Sequence, residues 1–365
     1  MPGFSQVQWS SPPRLDFRNE GRVAPTEEMW EAMRRASENF EMSSFGTDPS
    51  VRELELIGAE MTGQEASYFL PSTTAATLVA LLAEDVRAKQ LIVEARSHLY
   101  WLQRFHDSVH AGGRAATIEG DKFGVMSLSD IDELINRTVW GLENPTAFVC
   151  LENTHNICGG TPLSVEYTRE AADIARRAGA KLFIDGARIW NAAVAQDVTV
   201  KDLCEPADAV VLSLNKAPIA PYGALLCGSA DMIVRARTEA TRIGANQVHK
   251  DGIFAAAAIV GLKDVDQRLK EDHRRARQLA EGLSAHPSLD VDARNTRSNL
   301  VRIGTSRTGV SALEIAEELK HQGLGLQVLD PDTLRLVTYC RITDCDIDEA
   351  LGIFEKVVSN LVTSR

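Results

Sequence analysis

The sequence predicts an α/β fold: a mostly parallel central sheet with helices on both faces, followed by a small α+β C-terminal domain. Three observations predict it. Short apolar runs alternate with helical stretches from about residue 65 to residue 227, the order that a parallel sheet with helical crossovers requires. Two of those runs, Lys-Leu-Phe-Ile-Asp185 and Ala-Val-Val-Leu-Ser-Leu-Asn-Lys216, carry a charged group to the C-terminal edge, where open α/β sheets bind ligands. From about Ile253 the alternation stops, and a long charged helical tract with a few scattered strands marks a second domain.

Taken in order, residues 1–25 hold Ser-Ser-Pro-Pro and little periodicity, so they read as an extended arm. A large domain is expected over 26–252 and a small one over 253–365. Thr26 with the acids behind it signals a helix start, and Met29, Trp30 and Met33 share its apolar face. A loop at 45–49 leads to a helix over 50–61 and a strand over 65–70. Pro71-Ser-Thr-Thr-Ala75 then opens a helix to about residue 88. Hydroxyls and free N–H groups there can cradle an anion, but taken alone they read first as a plain cap by Ser72 or Thr73.

Strands follow at 90–94, 114–119 and 146–152, then a helix over 165–179, the strand ending in Asp185, the strand ending in Lys216, and a further strand at 224–227. Beyond 253 the pattern predicts a helical tract through about 281, strands at 289–292, 300–303 and 334–338, and helices over 311–322 and 346–361.

Composition narrows the function. The chain of 365 residues has a formal net charge of -12, which excludes a nucleic-acid partner or an anionic membrane surface while leaving room for a local anion pocket. The N-terminus lacks a basic region followed by an apolar one, and no apolar run is long enough to cross a bilayer, so a cytoplasmic protein is expected. The six cysteines (150, 158, 204, 227, 340, 345) show no metal-type spacing, so thiols and no metal site are expected.

The chemistry centres on Lys216. An ammonium at the mouth of a buried strand is partly desolvated, which favours the neutral, nucleophilic amine. Alone, it reads as a solvated loop lysine. Asp185 changes that reading, because an aspartate beside a Schiff-base lysine is what a pyridoxal phosphate (PLP) ring nitrogen needs to remain protonated.

The motifs that carry a resemblance are Phe45-Gly-Thr-Asp-Pro49, Phe69-Leu-Pro-Ser-Thr-Thr74, Ser97-His98, Leu151-Glu-Asn-Thr-His-Asn156, Asp185-Gly-Ala-Arg-Ile-Trp-Asn191, Asn215-Lys216 and Arg335-Leu-Val-Thr338. In this order they resemble the threonine aldolase family, PLP enzymes of the aspartate aminotransferase fold type, over nearly the whole chain. The resemblance implies that Lys216 holds PLP in Schiff-base linkage and that Asp185 pairs with the ring nitrogen. It implies that His98 covers the ring face and, as a catalytic residue, holds the group or water that takes a proton from the substrate hydroxyl, that Thr73 and Thr74 hold the phosphate, and that Arg188 contacts cofactor and substrate. Arg335 and Asn19 are implied to meet the amino acid substrate, with His155 as a second base beside it. A homodimer or homotetramer is also implied. The chain departs from the family pattern at Asn19-Glu20, Thr73, Asn215 and Tyr339. Three activities remain open at this point: aldol cleavage or glycine transfer, β-elimination, and binding without catalysis.

Overall fold

The computed structural model of the chain describes residues 7, 9, 11–39, 41–105, 110–138, 141, 144–246 and 248–363. In chain order the strands are β1 (Leu15–Asp16), β2 (Ala66–Leu70), β3 (Gln90–Glu94), β4 (Arg114–Ile118), β5 (Thr146–Glu152), β6 (Lys181–Gly186), β7 (Ala209–Ser213), β8 (Ala224–Gly228), β9 (Leu300–Gly304), β10 (Leu324–Gly325), β11 (Gln327–Asp330) and β12 (Thr333–Val337). They belong to two compact units. The larger comprises Val23–His155 and Pro162–Val265; the smaller comprises the chain up to Arg22, Asn156–Thr161 and everything from Asp266 onward.

In the larger unit seven strands form one sheet in the order β2-β8-β7-β6-β5-β3-β4. Neighbours run parallel except at β8, which is antiparallel to both β2 and β7. Strands β3, β7 and β8 are buried at every position, so both faces of the sheet are covered. Phe148 and Phe183 meet edge to face at 5.8 Å within a core that includes Val79, Leu81, Leu91 and Val211. Each such side chain contributes about 1.5–3 kcal/mol by leaving water. Helix starts follow their sequence signals: Thr26 caps Glu27–Ser37, and Asp48 caps Pro49–Thr62 with proline in the first turn.

The strands predicted at 90–94 and 146–152 occur at those residues, and those predicted at 65–70 and 114–119 lose one residue. The short helices His98–Phe105, Leu128–Ile135 and Ile189–Gln196 were not anticipated.

Several contacts fix the loop that bears Lys216. Ile219 has φ 53°, a left-handed conformation that costs a β-branched residue about 1–2 kcal/mol. It is held there by packing with Met29, Met33 and Ala257, and its N–H donates to the Lys216 carbonyl at 2.9 Å. On the helix Gly252–Leu262, a Cβ added at Gly261 would lie 1.9 Å from the Pro218 carbonyl oxygen. Only glycine lets helix and loop approach so closely. Gly261→Ala is therefore expected to cost about 1–3 kcal/mol by overpacking, read as a lower melting temperature. Gly352→Ala, where a Cβ meets nothing within 4 Å, is expected to leave the melting temperature unchanged or slightly raised.

In the smaller unit β11-β12-β9 form an antiparallel sheet, and β1 pairs in parallel with β10, Leu15 opposite Leu324. Residues 289–292, expected as a strand, make only the isolated bridge Asp290 to Gly304, because the chain turns into a 3-10 helix at Ala293–Asn295. The tract expected as one helix is two, Gly252–Leu262 and Val265–Ser284.

Asp272, 5% exposed on the second of these helices, has its carboxyl pushed up to about 7. Burial is the main cause; Glu20 and Glu271 add to it, while Arg275 and Arg268 oppose it. Since 3.8 is the ordinary value, the folded state binds this proton more tightly than the unfolded chain does. The stability it lends is present below pH 4 or so and is lost as pH rises through about 7. Asp272→Asn is expected to be more stable than wild type at pH 8, by up to about 4 kcal/mol at 1.36 kcal/mol per pKa unit. That difference should vanish near pH 4 in denaturant titrations.

Candidate active site

Three adjacent strands bring a carboxylate to one edge of the large sheet: β6 carries Asp185 one residue before its end, and β5 and β3 end in Glu152 and Glu94. Asp185 and Glu152 are register partners on parallel neighbours, so their side chains leave the sheet on the same face. Asp185 is 5% exposed, and its Oδ1 accepts the Ala187 N–H at 3.1 Å. Burial first, then the Glu152 carboxylate, push Asp185 above the usual carboxylate range, while His98 and Lys216 pull it back.

Lys216 lies beyond the end of β7, in the loop that returns the chain to β8. Two hydrogen bonds close that loop, Leu214 N–H to Gly223 O at 3.1 Å and Ala220 N–H to Leu214 O at 2.9 Å. The lysine is half-buried, and because β7 runs parallel to β6 it follows its strand at the same sheet edge as Asp185. His98 opens the helix His98–Phe105 and donates its backbone N–H to Glu152 Oε2 at 2.7 Å.

Thr73 and Thr74 are the first residues of the helix Thr73–Ala83, whose cap Ser72 accepts the Ala75 N–H at 3.1 Å. The capping explanation is thus correct for Ser72. It leaves the N–H groups of Thr73 and Thr74 at a helix N-terminus, where the backbone favours an anion. Arg188 directly follows the Asp185 turn, is buried, and accepts the Asn191 N–H at 3.0 Å through its carbonyl. His155 is 2% exposed, with Nε2 3.0 Å from Glu94 Oε2.

Arg335 and Asn19 belong to the smaller unit. The buried guanidinium of Arg335 donates to Asn156 and to Gln327 Oε1, and Asn19 Oδ1 accepts the Gly21 N–H at 2.7 Å. Two departures from the family pattern have local partners: Asn215 accepts the Ser213 hydroxyl at 2.7 Å, and the Tyr339 hydroxyl donates to the Asp16 carbonyl at 2.9 Å. Sequence reasoning assigned no role to Glu94 or Glu152. Each nevertheless ends an apolar run with an acid, as Asp185 does, and that repeated signature was available in the sequence.

Asp185 tests whether these residues suit a cofactor. A carboxylate this dry, next to a second one, is satisfied by a cationic N–H, and the lysine beside it is an amine suited to a carbonyl carbon. Pyridoxal phosphate presents both groups together with a phosphate for a helix N-terminus, so the fold and site fit the class of PLP-dependent α/β enzymes.

Residues 16–306 match the family of β-eliminating lyases. The chain is 33% identical over 347 residues to low-specificity L-threonine aldolase 1 of Arabidopsis thaliana, covering 94% of this chain and 96% of that protein. It is 32% identical over 329 residues to the low specificity L-threonine aldolase of Escherichia coli (strain K12), covering 90% and 95% respectively. The structure of Leishmania major threonine aldolase matches with a TM-score of 0.78 at 18% identity, over 94% of this chain and 99% of that one, a likeness of fold. The chain belongs to the β-eliminating lyase family, among its threonine aldolases, and is a PLP-dependent lyase.

Proposed function

We propose that the protein cleaves a β-hydroxy-α-amino acid, threonine or a bulkier homologue, into glycine and an aldehyde. What supports this reading is that Asp185 near the end of β6 and Lys216 just after the end of the parallel neighbour β7 leave the sheet at one edge, in a chain that aligns over 94% of its length with an L-threonine aldolase. When bound, PLP supplies the electron sink that accepts the Cα–Cβ bonding pair. The rest falls to the chain. Lys216 tethers the cofactor, Asp185 holds a positive charge on its ring nitrogen, Thr73 and Thr74 hold its phosphate, and His98 helps to hold its ring.

Arg188 and Arg335 bind the substrate carboxylate, for which a planar two-pronged donor suits better than lysine, and Asn19 adds a polar contact. His155 takes the proton of the β-hydroxyl as the Cα–Cβ bond breaks. The hydroxyl carbon becomes the aldehyde carbonyl, and a proton delivered to Cα completes glycine.

Among the described residues, no helix is long and apolar enough to cross a membrane. We place the enzyme in the cytoplasm as a homodimer or homotetramer, in keeping with its acidic balance and with the resemblance. The test is to incubate the PLP-loaded protein with a panel of β-hydroxy amino acids and quantify the products. Glycine with equimolar aldehyde supports the reading. Keto acid with ammonia supports β-elimination instead, the activity for which the family is described. Neither product pair from any substrate overturns both.

A further inference from the structure

Glu152 is a buried acid to which the proposed reaction gives no role. It ends β5, 8% exposed, and as the register partner of Asp185 it leaves the sheet on the same face, one strand away. Two dry carboxylates side by side repel, and Glu152 is the second cause, after burial, of the raised Asp185 carboxyl. A group this costly is kept where donors offset its burial. One such donor is the start of the helix His98–Phe105, whose first turn is capped from two directions. Ser97 Oγ accepts the Tyr100 N–H at 3.3 Å, as an ordinary serine cap does. The His98 N–H, which the helix itself cannot satisfy, donates to Glu152 Oε2 at 2.7 Å, from a residue 54 positions away in sequence. The negative charge also suits the positive end of the helix. His155 Nε2 stands 4.0 Å from the same oxygen, beyond hydrogen-bond range, so it does not displace that bond.

We infer that Glu152 is a positioning residue: by holding the first N–H of this helix it fixes His98 relative to Asp185, so that two groups serving one cofactor ring share an anchor at the end of β5. The inference rests on the proposed role of His98 at that ring; the anchor itself does not. His98 needs such an anchor. It is half-buried, and it opens a helix of eight residues, too short to hold its own first turn in place. The Ser97 N–H adds a second tie, to the Glu94 carbonyl at 3.0 Å, so the helix start hangs from the ends of β3 and β5 together. Without the carboxylate, the first residue of the helix is the one released.

Glu152→Ala removes the acceptor, whereas His98→Ala removes the imidazole and keeps the N–H, so the two variants and their double form a cycle. Any direct effect of the Glu152 charge on the cofactor is present with or without the imidazole and cancels from the comparison. The fold should survive, because relief of the repulsion on Asp185 offsets the lost cap. The readouts are kcat and the PLP dissociation constant, the melting temperature of cofactor-free protein, and the hydrogen-exchange rate of the His98 amide by NMR. Glu152→Ala is expected to lower kcat by about 10²-fold in wild type, the scale of a small misplacement, but by less than about tenfold in His98→Ala. The PLP dissociation constant should depend on background in the same way. The His98 amide should exchange slowly in wild type and, in Glu152→Ala, like an open first-turn N–H. Equal factors in the two backgrounds overturn the inference, as does a change in melting temperature alone. A fast-exchanging His98 amide in wild type overturns it even if Glu152→Ala fails to fold. A His98→Ala enzyme with wild-type kcat and PLP affinity removes the role of His98 and the inference with it. If wild type cleaves no β-hydroxy amino acid, the aldolase reading fails, and the cycle in PLP affinity still decides the role of Glu152.

Discussion

Lys216→Ala is expected to be devoid of turnover and colourless after addition of PLP, whereas wild type takes on visible absorbance. The loss should exceed about 10⁴-fold, because covalent tethering and substrate exchange share this one amine and a methyl group replaces neither. Folding should be little affected. Lys216 is half-buried, and its loop is fixed by other contacts: Ile219 in its apolar cluster, Pro218 against Gly261, and the two backbone bonds from Leu214 and Ala220. A melting temperature near that of wild type, with no colour and no product, is the expected combination. Lys216→Arg should behave likewise, because a guanidinium keeps the charge but is not a nucleophile at neutral pH.

Asp185→Asn is expected to lower kcat by about 10²–10⁴-fold, the range of effects seen when a preorganised charge or proton partner is removed from an active site. The amide preserves shape and still offers an oxygen to the Ala187 N–H, so the loss reports charge alone. Its effect on stability should have the opposite sign. Burial and Glu152 raise the Asp185 carboxyl in the folded state, so its contribution to stability is lost as pH rises and the ionised form is a burden on the fold. Cofactor-free Asp185→Asn should therefore resist denaturant at least as well as wild type at pH 8. A variant that is less active yet no less stable identifies a residue kept for function at the expense of the fold. Equal losses of both would point to a structural acid.

How much of this was legible in the sequence depended on the range of the forces involved. Asp185 and Glu152 could be placed because apolar runs ending in a polar residue define a strand and its edge locally. The direction of β8 was also within reach: only residues 214–223 separate β7 from β8, too few for the helical crossover that a parallel pair needs. Gly261 was out of reach. Its requirement arises from the Pro218 carbonyl, distant in sequence, and no local pattern announces such an approach. The Glu94 and His155 pair fell between these cases. Each residue sat in a recognisable strand-end motif, but the hydrogen bond joining them depends on β3 and β5 being neighbours, which is a property of sheet order. The isolated bridge at Asp290 shows the reverse error, in which apolar content suggested a strand that the following turn cut short.

The central claim is that Asp185 on β6 and Lys216 in the loop after the neighbouring β7 serve a single cofactor. Borohydride reduction of the PLP-loaded protein, followed by peptide mass spectrometry, tests it most directly. A pyridoxyl mass increment confined to Lys216, and absent from Lys216→Ala, is the predicted result. An increment on another lysine, or none in a protein that still cleaves its substrate, would contradict it.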